Sequence, residues 1–147
     1  IVKDLASEIE KEGIVAAFIL DNGMDYELDD AWKTILKKMD LLIVQTYAMT
    51  PLAKYADIIL PGLAPYEREG TLTNDKGHVQ WLRPSITAQG ETKADWEILK
   101  LLDNTENSFS EISDLMKDMG KQFSAYSDIS FFKLGDQGVS LDGKAKA

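Results

Sequence analysis

The apolar positions of this chain change period as the sequence advances. Val2, Leu5, Ala6 and Ile9 recur at helical spacing, and Gly13 is placed to end that helix. Ile14 to Leu20 is instead an unbroken apolar run with several β-branched residues. It is too short for a buried helix and predicts an inner strand of a parallel sheet. Asp21-Asn22-Gly23 closes it as a turn. Leu28, Ala31, Trp32, Ile35, Leu36 and Met39 then form one helical stripe, with Asp29 and Asp30 at the start and Lys37 and Lys38 at the end, as the helix dipole favours. Leu41 to Thr46 is a second apolar strand. Thr50-Pro51 reads as a cap followed by proline at the first helical position, opening a short helix to Ala56. Asp57 to Leu60 is a third strand, and it stops at Pro61-Gly62.

Strand–helix–strand–helix–strand is half of a doubly wound sheet. The fold class expected is α/β: a Rossmann-like three-layer domain with a mainly parallel sheet, right-handed crossovers and a long loop after the third strand. Residues 61–90 carry turn chemistry, with His78 to Leu82 as a short extended piece. Thr92 or Asp95 caps a further helix with Trp96, Leu99 and Leu102 facing inward. Asn104 to Asn107 reads as a polar linker. Ser108-x-x-Glu111 has the form of a capping box. It opens a helix with Phe109, Ile112, Leu115, Met116, Met119 and Phe123 on one face and Gly120 near its end. Residues 1–123 thus read as an α/β domain. Residues 124–147 read as a loop-like extension, disordered toward Gly143–Ala147.

Composition narrows the function classes. The chain has 147 residues, enough for one core, with 44% hydrophobic and 28% charged residues. The net charge of −9 argues against nucleic acid and anionic membrane surfaces as partners. There is no cysteine, which excludes disulfides, thiol nucleophiles and thiolate-held zinc or iron–sulfur clusters within these residues. A single histidine, His78, excludes a multi-histidine metal site. No apolar run reaches the roughly 18–20 residues of a membrane-spanning helix. Ile1-Val2-Lys3-Asp4 carries no signal peptide and reads as entry into a longer protein.

Candidate chemistry concentrates after the third strand. Glu67 and Glu69 form a carboxylate pair around Arg68 that suits acid–base work, and equally a salt-bridged loop. Gly70, Thr71, Thr73, Asn74, Gly77, His78 and Gln80 place hydroxyls, amides and free backbone together. Such groups can hydrogen-bond a heterocycle or a phosphate. They can also stitch a long loop to itself. Gly23 follows a strand, but neither dinucleotide glycine pattern is present. No catalytic residue and no metal ligand is assigned, and a free-standing small-molecule module is the bland alternative.

Three ordered motifs carry more. They are Tyr55-Ala56-Asp57-Ile58-Ile59-Leu60-Pro61, then Glu67-x-Glu69-Gly70-Thr71-Leu72-Thr73-Asn74-x-x-Gly77-His78-Val79-Gln80, then Asp95-Trp96-Glu97-Ile98. Together they resemble the molybdopterin oxidoreductase superfamily over about residues 14 to 103. Within it the chain is most similar to the C-terminal part of the iron–sulfur G subunit of NADH:quinone oxidoreductase, respiratory complex I; Leu134-Gly135-Asp136-Gln137-Gly138-Val139 resembles the tail of that subunit. The resemblance implies a scaffolding domain of an electron-transfer arm, with no cofactor in this chain and iron–sulfur clusters elsewhere in the parent. It implies other subunits of a respiratory complex as partners, and a place on the cytoplasmic side of the inner membrane. The alternative it implies is part of a formate dehydrogenase-like enzyme whose Gly70–Gln80 loop contacts a pterin dinucleotide. Two positions depart from the family pattern: His78 stands where arginine is common, and Thr50-Pro51-Leu52 replaces Thr-Glu-Thr.

Overall fold

The computed structural model describes residues 2–24, 26–103 and 109–141, with side chains described from Ser7 onward. The chain divides into two compact units. One comprises Ile1–Ala64 with Ala88–Leu99, the other Pro65–Thr87 with Lys100–Ala147. Each has its own sheet.

The first unit is α1 (Val2–Lys11), β1 (Ala16–Leu20), α2 (Asp30–Leu36), β2 (Leu41–Thr46), a 3-10 turn at Ala53–Tyr55 and β3 (Ile58–Pro61). The three strands are parallel in the order β1-β2-β3. Alternation along β2 sends Leu42 and Val44 to one face. There they pack with Leu36 of α2, with Leu52 and Ala53 of the turn, and with Ala17 and Ile19 of β1. Ile9 of α1 meets Ile35 of α2 in a second, smaller cluster, and Trp32 and Met39 pack against both. Asp29 caps α2 by accepting from the Trp32 N–H at 2.9 Å. The α/β class with a parallel sheet is therefore what the apolar pattern predicts.

Several local expectations are corrected. β1 is an edge strand among the described residues, not an inner one, and Ile14 and Val15 lie outside it and exposed. The helix expected over residues 50–56 is a single 3-10 turn at Ala53–Tyr55, because the backbone returns to an extended conformation at Ala56. Val2, Leu5 and Ala6 of the first stripe fall outside the described side chains.

The second unit replaces the expected long loop by a hairpin. β4 (Gly70–Thr73) and β5 (His78–Leu82) pair antiparallel, and β5 also pairs with β6 (Val139–Ser140). Residues 124–141, read as loop-like, hold a 3-10 turn at Ser124–Tyr126, the one-turn α5 (Phe131–Leu134) and β6. Val79, fully buried, packs with Met116 of α4 (Ile112–Gln122), Ile129, Leu134 and Leu141. The periodicity of residues 124–141 is too short for a pattern to show, since α5 has only four residues. α4 opens with a capping box of Glu111 with Asp114; Ser108 of the expected box, with Asn104–Asn107 and Gly143–Ala147, lies outside the described residues. Phe123 is exposed rather than on the buried stripe. In α3 (Asp95–Leu102), Ile98 is buried while Leu99 and Leu102 are exposed.

Candidate functional site

Two places collect polar groups: the hairpin of the second unit and the strand ends of the first. The predicted hairpin residues share a neighbourhood but not a face. In the antiparallel register Thr71 lies opposite Trp81 and Thr73 opposite Val79, whereas Gln80 lies opposite Leu72. Side chains alternate along a strand, so Thr71 and Thr73 share one face while His78 and Gln80 take the other. The set does not converge on one ligand.

Their hydrogen bonds point inward to the protein. Asn74 Oδ1 accepts from the Lys76 N–H at 3.0 Å and the His78 N–H at 2.9 Å, while the Gly77 N–H donates to the Asn74 carbonyl at 3.0 Å. Gly77 closes that turn at φ +74°, a conformation only glycine adopts without strain. The Thr73 hydroxyl meets the Tyr126 hydroxyl at 3.1 Å. His78 Nε2 lies 2.8 Å from the Gln137 carbonyl, which can only accept. Nε2 therefore carries a proton, and Nδ1 lies 3.2 Å from the Ser140 hydroxyl. Gly138 lies against this histidine, and a Cβ there would collide with the Val79 carbonyl and the imidazole. Arg83 stacks 4.0 Å from the Trp81 ring centroid, donates to the Gly135 carbonyl at 3.0 Å and pairs with Asp136 at 2.9 Å. Of the two readings left open for this stretch, self-stitching is what the geometry of Thr73, Asn74 and His78 displays. Gly70 and Gln80 make no such bond in these contacts, and Thr71 is half-buried. Glu67 is buried and Glu69 exposed, so the carboxylate pair does not share one environment.

The strand ends hold a cluster that the motifs did not single out. Asp21, just past β1, accepts from the Tyr26 hydroxyl at 2.7 Å, the Thr50 hydroxyl at 2.5 Å and the Gly23 N–H at 3.2 Å. Thr50 in turn accepts from the Ala53 N–H at 3.2 Å, which is the capping role its sequence suggested. Burial raises the Tyr26 phenol above its ordinary pKa, and the hydrogen bond to Asp21 pushes the same way. Gly23 lies under Tyr47, and a Cβ there would strike the phenol ring. Sequence alone marked Asp21 as a turn residue; its partners are 5 and 29 positions away, which no local spacing reveals.

Two more features complete the unit. Gln45, 2% exposed, donates from Nε2 to Asp95 Oδ1 at 2.6 Å, and its Oε1 has no partner. A cleft of about 420 Å³ is lined by Tyr26, Glu27, Leu28, Lys33, Pro51, Lys54 and Tyr55. Its charges are mixed, with Lys33 already paired to Asp30 at 3.2 Å.

Open parallel sheets bind ligands at the carboxyl ends of their strands. A pterin dinucleotide would bring two phosphates there, and phosphates want N–H donors and cations. The described residues fit that poorly. The Asp21 carboxylate has taken up the hydroxyl donors of Tyr26 and Thr50, and Tyr47 fills the space above Gly23. Acidic Glu27, Asp29 and Asp30 follow before the first lysine of the segment, Lys33. The orphaned Gln45 oxygen would satisfy any buried donor, a water included, and selects no dinucleotide. Among the described residues no group of three or more His, Asp or Glu side chains is arranged to hold a metal ion. No helix among them is long and apolar enough to cross a membrane.

Comparison with known proteins agrees on one family. The molybdopterin oxidoreductase profile matches residues 2–105. The alpha subunit of an F420-dependent formate dehydrogenase of Methanococcus maripaludis is 33% identical over 109 residues, and that of Methanocaldococcus jannaschii is 31% identical over the same length. Each alignment spans 71% of this chain and 16% of the relative. A putative formate dehydrogenase of Staphylococcus haemolyticus is 30% identical over 105 residues, 69% of this chain and 11% of that protein. Among solved structures, acetylene hydratase from Pelobacter acetylenicus superposes with a TM-score of 0.64 over 88% of this chain and 19% of its own, at 18% identity. That last likeness speaks for the fold alone.

Proposed function

The chain belongs to the molybdopterin oxidoreductase family, and from that premise we propose that it is one α/β domain of a formate dehydrogenase-type oxidoreductase. The observation that carries the proposal is the 30–33% identity to formate dehydrogenases over about seven-tenths of the chain. It turns the reading away from the complex I G subunit, which the tail motif had favoured, and toward the alternative. The domain's part in that enzyme is architectural. Its strand ends are tied off by Asp21 and its hairpin by Asn74 and His78, so it shapes a wall of the larger protein. The molybdopterin belongs to that parent, held chiefly by residues outside this chain. Iron–sulfur centres form no part of the proposal.

The test uses the full-length protein that carries this sequence. Acid oxidation should release a fluorescent pterin, elemental analysis should find molybdenum or tungsten, and formate should reduce a viologen dye. A full-length protein with no pterin, isolated within an assembly that oxidises NADH with quinone, would return the G-subunit reading.

A further inference from the structure

The turn that ends β1 contains the one Asn-Gly pair of the chain, Asn22-Gly23. Such a pair can modify itself, because glycine puts no Cβ in the way of its own backbone nitrogen. That nitrogen loses its proton and bonds to the asparagine Cγ. The bond between Cγ and the side-chain nitrogen breaks, and ammonia leaves with the proton. Water then opens the cyclic imide on either side, leaving aspartate or isoaspartate. Water is the one co-reactant, and Asn22 is exposed to it.

The fold holds both reacting groups. The Gly23 N–H donates to Asp21 Oδ1 at 3.2 Å, and Asn22 Oδ1 accepts from the Met24 N–H at 3.2 Å. In the imide, Cγ occupies the place of the Gly23 amide hydrogen, so the bond to Asp21 has to break before the ring can close. Asp21 is itself fixed, since its Oδ2 takes the Tyr26 and Thr50 hydroxyls at 2.7 and 2.5 Å. Closure also turns Gly23 about the Asn22 Cα–C bond. Gly23 sits at φ +71° under Tyr47, where an added Cβ would fall 2.4 Å from the ring. Little room exists for that turn while Tyr47 stays in place.

We propose that Asn22 is a self-modification site held shut by the Asp21 cluster, and that it deamidates through openings that release the Gly23 N–H. Loss of ammonia makes each event one-way. The product carries a new carboxylate next to Asp21, and like charges so close oppose one another. In its isoaspartyl form it also adds a backbone methylene at the end of β1. Both changes disfavour the closed cluster, so a strand end that has reacted stays open. The site therefore keeps a record of past openings. This inference does not depend on the formate dehydrogenase reading.

Peptide mapping of the full-length protein, incubated at neutral pH and physiological temperature, tests this. The exchange of an amide for a carboxyl at position 22 should run about tenfold or more slower in the native protein than in a synthetic peptide of the same segment, because a hydrogen bond to a carboxylate has to break first. Hydrogen exchange of the Gly23 amide passes through the same opening, so its protection should match that slowing within about threefold. Asp21→Ala should speed deamidation of the native protein about tenfold. Tyr26→Phe also weakens the cluster but leaves the acceptor of the Gly23 N–H in place, so it should speed the reaction far less. Both variants are compared where urea titration shows them folded. Equal rates in native protein and peptide would overturn the proposal, as would a slowing that does not track Gly23 protection. An Asp21→Ala protein no faster than the natural one would overturn it too. Equal acceleration by the two variants would do the same, by assigning the effect to general loss of stability.

Discussion

At the scale of single residues, Asp21 joins segments that lie far apart in the sequence. One carboxylate receives two hydroxyls and a backbone N–H, and so ties the end of β1 to the turn after β2. Removing it strands Tyr26 and Thr50 without their acceptor. Asp21→Ala should cost about 1–3 kcal/mol of unfolding free energy, read from urea titration. Tyr26 gives the cluster a pH signature. Its pKa is raised in the folded state, so folding favours the protonated phenol. The associated stability is complete below the unfolded value of about 10 and is lost as pH climbs through the higher folded value. The melting temperature should fall more steeply in that alkaline window for the natural chain than for Tyr26→Phe, with the two curves compared at fixed ionic strength. In the second unit, Gly138→Ala should destabilise, because the added methyl meets the Val79 carbonyl and the His78 ring. A Gly138→Ala protein that melts with the natural chain would show that the Gly138 backbone and the His78 ring can both give way.

At the scale of elements, the strongly periodic pieces were legible and the short ones were not. α2 and β2 announce themselves, because an amphipathic stripe and a four-residue apolar run, Leu41–Val44, each bury a face that must go somewhere. The motif residues also located the hairpin correctly as a turn-rich place. Its pairing was not legible. Thr71, Thr73, His78 and Gln80 alternate with Leu72, Val79 and Trp81, yet the second strand partner of β5 is β6, some sixty residues later. The Asp21 cluster was hidden for the same reason. The start of α4 shows how a cap can slip by three residues. The S-x-x-E pattern points to Ser108 with Glu111, whereas among the described residues Glu111 and Asp114 form the reciprocal pair. The Ser110 N–H lowers the Asp114 pKa most, with Lys117 and the Ser110 hydroxyl adding to it. A depressed carboxyl contributes stability above its unfolded pKa and loses it as pH falls through the folded one. Acid titration followed by helical circular dichroism should therefore show an added loss of signal in Asp114→Asn near neutrality, and a smaller acid-induced change than in the natural chain.

At the scale of the whole molecule, the sequence motifs placed the family, while the similarity to formate dehydrogenases does not support the complex I branch. The three motifs lie on β3, the β4–β5 hairpin and α3, which belong to the shared fold. The branch was read from Leu134–Val139, where six residues serve packing around Leu134 and the turn at Gly135. Such a segment reports a local packing solution. Charge acts globally too. With a net −9, self-repulsion opposes any contact between copies. Light scattering should find association rising as the carboxylates are protonated, and a chain that stays equally dispersed at mildly acidic pH would contradict this.

The last described hydrogen bond of the chain runs from the Leu141 N–H to the Gly77 carbonyl at 2.9 Å. Together with Val139 opposite Val79, it makes residues 139–141 the closing clasp of a hairpin that begins some seventy residues earlier. A protease that nicked the chain before Val139 would release that clasp and open the fully buried Val79 to water. Anyone who trims this protein, or joins a reporter to it, should leave everything through Leu141 intact.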